Sequence, residues 1–343
     1  MPHGTPSHAI EKARFSTRLI PKIAMKKRIM VGIAATFVAF ACIAEVVYPS
    51  KPVKLMVGAG AGGGTDIIAR MLAEKMTESL KGTFIVENKP GASNTIAAEI
   101  TAKAAPDGHT LLVATNTGQA IAPHLIKLSF DPIHDLTPVG LVVTVPNVLV
   151  VGSNVPVSSV KELVSLMKAK PEEFKYASSG VGSTQHIAGE AFDIAAGVKS
   201  IHVPYKGSAQ AHLDFIAGNV QIMFDTTSSA MGQIKAGKFK ALAVTTAQRS
   251  SELPNVPTLA EAGVSGFEMS TWYGVYVTAG TPPDVVARLQ RELARIIKLP
   301  DVQAKLKGLG GEPGNISPEE FSKLNRQEFE RFGRLIKQAN IKM

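Results

Sequence analysis

The sequence predicts an α/β protein of two lobes joined by a hinge, with a mainly parallel sheet in each lobe. Three observations carry that expectation. Strand-like and helix-like segments alternate from Lys54 onward, which is the grammar of parallel βαβ units. The alternation occurs twice, the second set being inserted into the first. A glycine-rich turn between a strand and a helix opens each set, one around Gly60 and one around Gly182.

The N-terminal segment stands apart. Seven of the lysines and arginines fall in the first 44 residues, against Glu11 alone. Of the formal charge of +9, +6 lies there and +3 is left for the remainder, too little for the basic patch that a nucleic-acid surface needs. Met25 to Arg28 is a basic head, and Ile29 to Ala44 is an apolar run shorter than the about 20 residues of a membrane-spanning helix. With small residues at Ala41, Cys42 and Ala44, this predicts a secretory signal peptide cut after Ala44 and a periplasmic location. Residues 1–24 read as an upstream extension, with Met25 as the alternative start. Two competing readings are a retained membrane anchor and lipidation at Cys42, although Ala39-Phe40-Ala41 fits a lipoprotein box poorly. Cys42 is the single cysteine, so a chain cut after Ala44 has no disulfide, thiolate metal site or cysteine nucleophile.

The first lobe is expected over residues 45–145 plus 264–343, and the second over 146–263. Lys54 to Val57 reads as a buried strand. Thr65 to Leu80 reads as a helix with Ile68, Leu72, Met76 and Leu80 on one face, capped by Thr65 and favoured by Asp66 at its positive end. A strand at Thr83 to Glu87, a helix near Thr95 to Ala105 and a strand at Thr110 to Ala114 follow. The apolar stretch Leu136 to Val151 reads as a strand leaving the first lobe. Ser159 and Glu162 form a capping box. Beyond it the pattern gives strands at Phe174 to Ala177, Ser200 to Val203, Val220 to Phe224 and Lys240 to Thr245. Helices are expected at Ser183 to Ala196 and near Gln210 to Ala217. Ser270 to Val277 is the strand leading back, with the return placed near Gly263. Thr281 and Ser317 are expected to cap the last two helices.

Gly58-Ala-Gly60-Ala-Gly-Gly63 matches the dinucleotide fingerprint, and Glu87 ends the next strand, where a ribose-binding acid belongs. The same glycines and the free N–H groups at a helix start suit any anion. A tight turn without ligand is the plainer reading. Ser178-Ser-Gly-Val-Gly-Ser183-Thr-Gln-His186 is the companion loop in the second lobe, and two such loops facing one cleft suit a carboxylate ligand. Ser183 is equally a simple N-cap, and His186 a structural histidine. Asp225, at the carboxyl edge of a strand, either faces ligand or caps the following helix. Tyr205 and Trp272 could stack on ligand or pack. The sequence contains no G-x-S-x-G, H-E-x-x-H or P-loop, and its histidines show no metal-ligand spacing.

The ordered series YPSKPVKLMV, AGGGTDIIARMLAEKM, VENKPGAS, YASSGVGSTQHIAGE and HVPYKGSAQAHLDFIAGNVQIMFD resembles the Bug-type receptors, the substrate-binding proteins of tripartite tricarboxylate transporters. The resemblance implies a class II periplasmic binding protein that closes on a small carboxylate: a di- or tricarboxylate, an acidic amino acid or an aromatic acid. It implies no catalysis, no cofactor and no metal, and a monomer working with membrane subunits of such a transporter. The binding positions it implies are Ala61, Gly62, Gly63, Thr65, Ser93, Ser178, Gly182, Ser183, Thr184 and Asp225. Two departures lie beside the pocket. Val57-Gly58 stands where the family usually has Pro followed by a large residue, and Asn94 where it usually has Gly. The competing reading is an NAD-dependent dehydrogenase using Gly58, Gly60, Gly63 and Glu87. An export signal and the missing catalytic constellation argue against it.

Overall fold

The computed structural model describes residues 48–338 and residue 341, apart from residue 267. The leader, with Cys42 and the Ala44 cleavage position, lies outside the described residues.

The first group of strands is β1 (Val53–Val57), β2 (Phe84–Asn88), β3 (Thr110–Thr115), β4 (Leu136–Gly152) and β9 (Ser270–Thr278), in the order β2-β1-β3-β9-β4. The second is β5 (Lys175–Ser178), β6 (Ile201–Pro204), β7 (Ile222–Thr226) and β8 (Phe239–Val244), again with β4, in the order β6-β5-β7-β4-β8. The two orders are the same: three parallel strands, then an antiparallel strand arriving from elsewhere in the chain, then a last strand. In the first group β9 is the arriving strand, antiparallel to β3; in the second it is β4, antiparallel to β7. The expected parallel pairing holds within each trio, and the arriving strands make each sheet mixed. A two-residue strand β10 (Glu312–Pro313) adds to β4.

Strand β4 is long enough to serve both groups. Its residues through Pro146 pair with β9, and Asn147 onward pairs with β7 and β8. Its pairing with β9 shifts register after Pro138, whose missing N–H is tolerated at such an irregularity. The chain returns between Thr245 and Ser270. Thr245 Oγ1 donates to Met269 O (2.6 Å) and the Thr245 N–H donates to Asn147 O (2.9 Å), tying the two crossings together. Leu259, Val264 and Met269 pack with Leu149 and Phe224, and the exposed Gly263 lies within this connection, ahead of the return strand.

The helices are α1 (Gly64–Leu80), α2 (Thr95–Ala102), α3 (Val160–Ala169), α4 (Thr184–Ala196), α5 (Ser208–Ala217), α6 (Thr227–Lys235), α7 (Pro283–Ile297), α8 (Pro300–Gly308) and α9 (Pro318–Gln338). Helix α1 buries Ile68, Leu72 and Met76 against Val53, Leu55 and Val57, each such side chain contributing about 1.5–3 kcal/mol. Its N-cap is Gly63, not Thr65, because the glycine turn already delivers the chain in an extended conformation two residues earlier. Pro282 likewise takes the cap expected of Thr281, whose hydroxyl turns back to Thr278 O. Ser317 and Glu320 form a reciprocal box, while at Ser159 the hydroxyl caps the Glu162 N–H and the Glu162 carboxylate accepts the Ser158 N–H, one residue outside the expected box.

Helix α9 spans both groups. Phe321 packs with Met56, Leu112, Trp272 and Tyr276 on the first, and Phe332 and Ile336 pack with Leu149 and Phe224 on the second. Among the described residues, no helix is long and apolar enough to cross a membrane.

Candidate functional site

The carboxyl ends of both parallel trios face one cleft, and the helices that follow the strands begin there. A cavity of about 30 Å³ is lined by Ala59, Gly63, Gly64 and Thr65 at the start of α1, Asn94 at the start of α2, Thr184 and Gln185 at the start of α4, Ser208 at the start of α5 and Thr226 at the start of α6. Thr115, Thr117, Ser179, Thr271 and Tyr273 complete it. None of these fourteen side chains is charged. Backbone donors come instead from five helix N-termini, whose first N–H groups have no intrahelical partner. A wider vestibule of about 290 Å³ shares Asn94 and Ser179 with the cavity, and Ser93, Val181, Tyr205 and Lys206 also line it. A groove of about 370 Å³ on the first lobe, lined by Val139, Leu141, Leu293 and Lys298 among others, has no such convergence of helix starts.

The first loop is held from behind. Asp66, buried in α1, accepts the Gly62 N–H at 2.9 Å, Arg70 Nε at 2.9 Å and Asn88 Nδ2 at 2.9 Å. Burial alone would raise its pKa. The hydrogen bonds from Arg70, Gly62 and Asn88 outweigh that and hold the carboxyl below its ordinary value. Asn88 also donates to Ala59 O at 2.9 Å. Gly58 admits the turn Ala92–Asn94 directly over it: a Cβ there would lie 2.5 Å from Asn94 O and 2.6 Å from Asn94 Cβ. Ala92, Ser93 and Asn94 all have positive φ, 44°, 54° and 72°, a conformation that costs an L-residue roughly 1–2 kcal/mol each. That turn carries Ser93 across the cleft, where its hydroxyl donates to Val181 O.

The second loop is braced by buried side chains. Ser178 Oγ accepts the Gly180 N–H at 3.1 Å and contacts His202 Nε2 at 2.6 Å. His186 Nδ1 accepts the Gly182 N–H at 3.1 Å, and Ser183 Oγ caps α4 by accepting the His186 N–H at 3.2 Å. Gly182 has a φ of 74°, which favours glycine. Across the cleft, Thr184 N–H donates to Thr117 Oγ1 at 3.3 Å, and the Thr184 and Thr271 hydroxyls are 2.8 Å apart.

Of the expected positions, Gly63, Thr65 and Thr184 line the cavity and Ser93 lines the vestibule. Ala61 and Gly62 are exposed at the rim. Ser178, Gly182 and Ser183 form the frame of the second loop rather than its cavity surface.

Asp225 departs most from expectation. It is fully buried, and its oxygens accept from Ser208 Oγ (2.7 Å), the Thr226 N–H (2.8 Å) and Gln185 Nε2 (3.3 Å), with His212 Nε2 2.6 Å away. Side chains alternate along a strand, so Thr226, one residue on, faces the cleft and Asp225 faces away from it. Trp272 packs edge-on to Phe321, with ring centroids 5.3 Å apart. Tyr205 donates to Asp214 at 2.7 Å.

Sequence reasoning missed Thr115, Thr117, Gln185, Ser208, Thr226 and Tyr273. The rule that ligands lie beyond the carboxyl ends of strands does point to Thr115 and Thr226, each the last residue of its strand. Tyr273 lies inside β9 and gives no local signal. Among the described residues, no three histidine, cysteine or acidic side chains group as metal ligands.

Two lobes of identical strand order, joined by two crossings and facing each other over a cleft of helix starts, define a two-lobed periplasmic binding protein. Residues 68–341 match the model of the tripartite tricarboxylate transporter family receptor. The chain is 36% identical over 315 residues to the UPF0065 protein in the tcbD-tcbE intergenic region of Pseudomonas sp. (strain P51), covering 91% of this chain and 94% of that one. An R. palustris protein solved with adipate is 36% identical and superposes with a TM-score of 0.84, over 86% of this chain and 99% of its own. The periplasmic binding protein BugD is 36% identical with a TM-score of 0.82, over the same shares. The chain belongs to the tripartite tricarboxylate transporter receptor family, the Bug-type solute-binding proteins.

Proposed function

We propose that this receptor captures a small carboxylate (a di- or tricarboxylate, an acidic amino acid or an aromatic acid) in the periplasm and delivers it, as a monomer, to the membrane subunits of a tripartite tricarboxylate-type transporter. The observation that carries the reading is the convergence of five helix starts on a cavity lined by no charged side chain. Backbone N–H groups and the hydroxyls of Thr65 and Thr117 supply donors for a carboxylate, and Thr184, whose proton is held by Thr271, positions the start of α4. Ser93, Ser183 and the glycines at 62, 63 and 182 shape the two loops that carry them. The adipate complex of a relative supports a carboxylate as the cargo. The NAD-dependent alternative fits poorly. The space over Gly58 is taken by Asn94, and Glu87 pairs with Lys54 at 2.8 Å.

A thermal-shift screen against mono-, di- and tricarboxylates, acidic amino acids and NAD(H) tests the reading. Ligand at a hundredfold excess over Kd adds about 2.7 kcal/mol of stability. Shifts are expected among the carboxylates, and Thr65→Val should weaken binding about tenfold by removing one hydrogen bond. A shift with NAD(H) and with no carboxylate would overturn the assignment.

A further inference from the structure

The hydrogen-bond directions around Ser208 determine what the second-lobe wall offers a ligand. Ser208 opens α5, is buried and lines the cavity. Its hydroxyl donates to Asp225 Oδ1 at 2.7 Å. That direction is not interchangeable. The same Oδ1 already accepts the Thr226 N–H at 2.8 Å, and a carboxylate oxygen has no proton to return. Gln185 is oriented as well: its Oε1 accepts from Ser179 Oγ at 2.7 Å, so its Nε2 faces Ser208 at 3.4 Å and Asp225 at 3.3 Å.

A hydroxyl has one proton. With that proton taken by Asp225, Ser208 Oγ presents only lone pairs to the cavity. The first-lobe side is different. Thr115 Oγ1 lies in the cavity wall, buried and without a partner, and keeps its proton. The unpaired N–H groups at the start of α1 stand on the same side. At Ser208 the second-lobe wall therefore offers a side-chain acceptor beside the backbone donors of its helix starts.

We propose that Ser208 is a specificity-determining residue, and that the ligand carries, beside its carboxylate, a hydroxyl or ammonium group that donates to Ser208 Oγ. This rests on the carboxylate-receptor reading above. Asp225 is a positioning residue, since it touches no ligand and acts by drawing the Ser208 proton away from the cavity. Ser208 Oγ accepts only the long contact from Gln185 Nε2 at 3.4 Å, so a ligand lacking the donor leaves its second lone pair unpaired, and a ligand oxygen placed there meets lone pair against lone pair.

Matched ligand pairs that differ only in the donor test the proposal. Isothermal titration of the purified protein compares malate and aspartate with succinate, and lactate with propionate. The malate and aspartate arms separate a hydroxyl from an ammonium donor. The donor-bearing member is expected to bind about tenfold tighter or more, the usual consequence of a buried acceptor left unpaired. Ser208→Ala should narrow that ratio to about threefold or less by weakening the donor-bearing member. Equal or tighter binding of the donor-free member to the unaltered protein overturns the proposal and leaves the receptor reading standing. A preference that survives Ser208→Ala in a folded variant also overturns it. If no carboxylate of either kind binds, the receptor reading falls and takes this proposal with it.

Discussion

His186 and His202 lie face to face, with ring centroids 4.1 Å apart and planes 13° from parallel, and each holds one end of the second-lobe loop. His202 contacts Ser178 Oγ and His186 accepts the Gly182 N–H. Tyr176 stacks on His202 at 4.8 Å. Burial, helped by the neighbouring imidazole, pushes His202 down to about 3, and burial lowers His186 against the pull of Glu190.

These two imidazoles make stability depend on pH with a definite sign. Below the unfolded histidine value of 6.5 the unfolded chain takes up protons that folded His202 refuses until about pH 3, so stability falls as pH is lowered through that window. Asp193 acts oppositely. Burial raises it to about 6 from 3.8, so it costs stability as pH rises through that range and offsets part of the histidine effect below pH 6. Melting curves from pH 7.5 to 4.5 should show a shallower acid decline in His202→Gln and a steeper one below pH 6 in Asp193→Asn. An unchanged slope in His202→Gln would show that the folded protein protonates this ring normally.

Gly58→Ala should destabilise the protein by about 1–3 kcal/mol, the range for overpacking. The added methyl would meet the Asn94 backbone rather than a movable side-chain tip. Urea denaturation measures the loss. Wild-type stability would mean that the Ala92–Asn94 turn can lift away freely.

Asp225→Ala should cost at least about 2 kcal/mol. It leaves Ser208, Gln185, His212 and the Thr226 N–H without their common acceptor in a buried site. Asp225→Asn, which keeps one acceptor oxygen, should recover part of the loss. Equal losses in the two variants would contradict the role of the carboxylate as a shared acceptor.

Phe321→Ala and Phe332→Ala should each cost about 3–5 kcal/mol, although they sit on different lobes. Both rings are buried beneath α9. Because α9 packs on both strand groups, thermal unfolding of either variant should remain a single transition. Two separated transitions would show that the helix does not couple the lobes.

The fold was largely legible because its signals are local. Ile68, Leu72 and Met76 repeat on one helical face, and Ser159 with Glu162 announces a helix start by chemistry alone. The long strand β4 was legible as a crossing because apolar residues run on through Pro138 and Pro146. Its second partner set was not, since β7 and β8 come from distant sequence. The site was less legible. Both glycine loops announce helix starts by their sequence, whereas the sequence leaves Asp225 between facing ligand and capping the next helix, and the pleat presents Thr226 to the cavity while Asp225 accepts the Thr226 N–H. Tyr273 and Thr271 reach the cavity from the return strand, whose place beside β3 only tertiary pairing decides.

A cavity whose donors to an anion are peptide groups has an anchor that no single side-chain substitution can delete. Affinity for negative charge is thereby built into the scaffold, while the hydroxyl, amide and phenol side chains around it remain free to vary. Descendants of such a site can exchange one acid for another by small steps without passing through a form that binds none. Peptide N–H groups do not titrate in this range, so the anchor itself stays constant while the histidine-braced loop beside it responds to acidity.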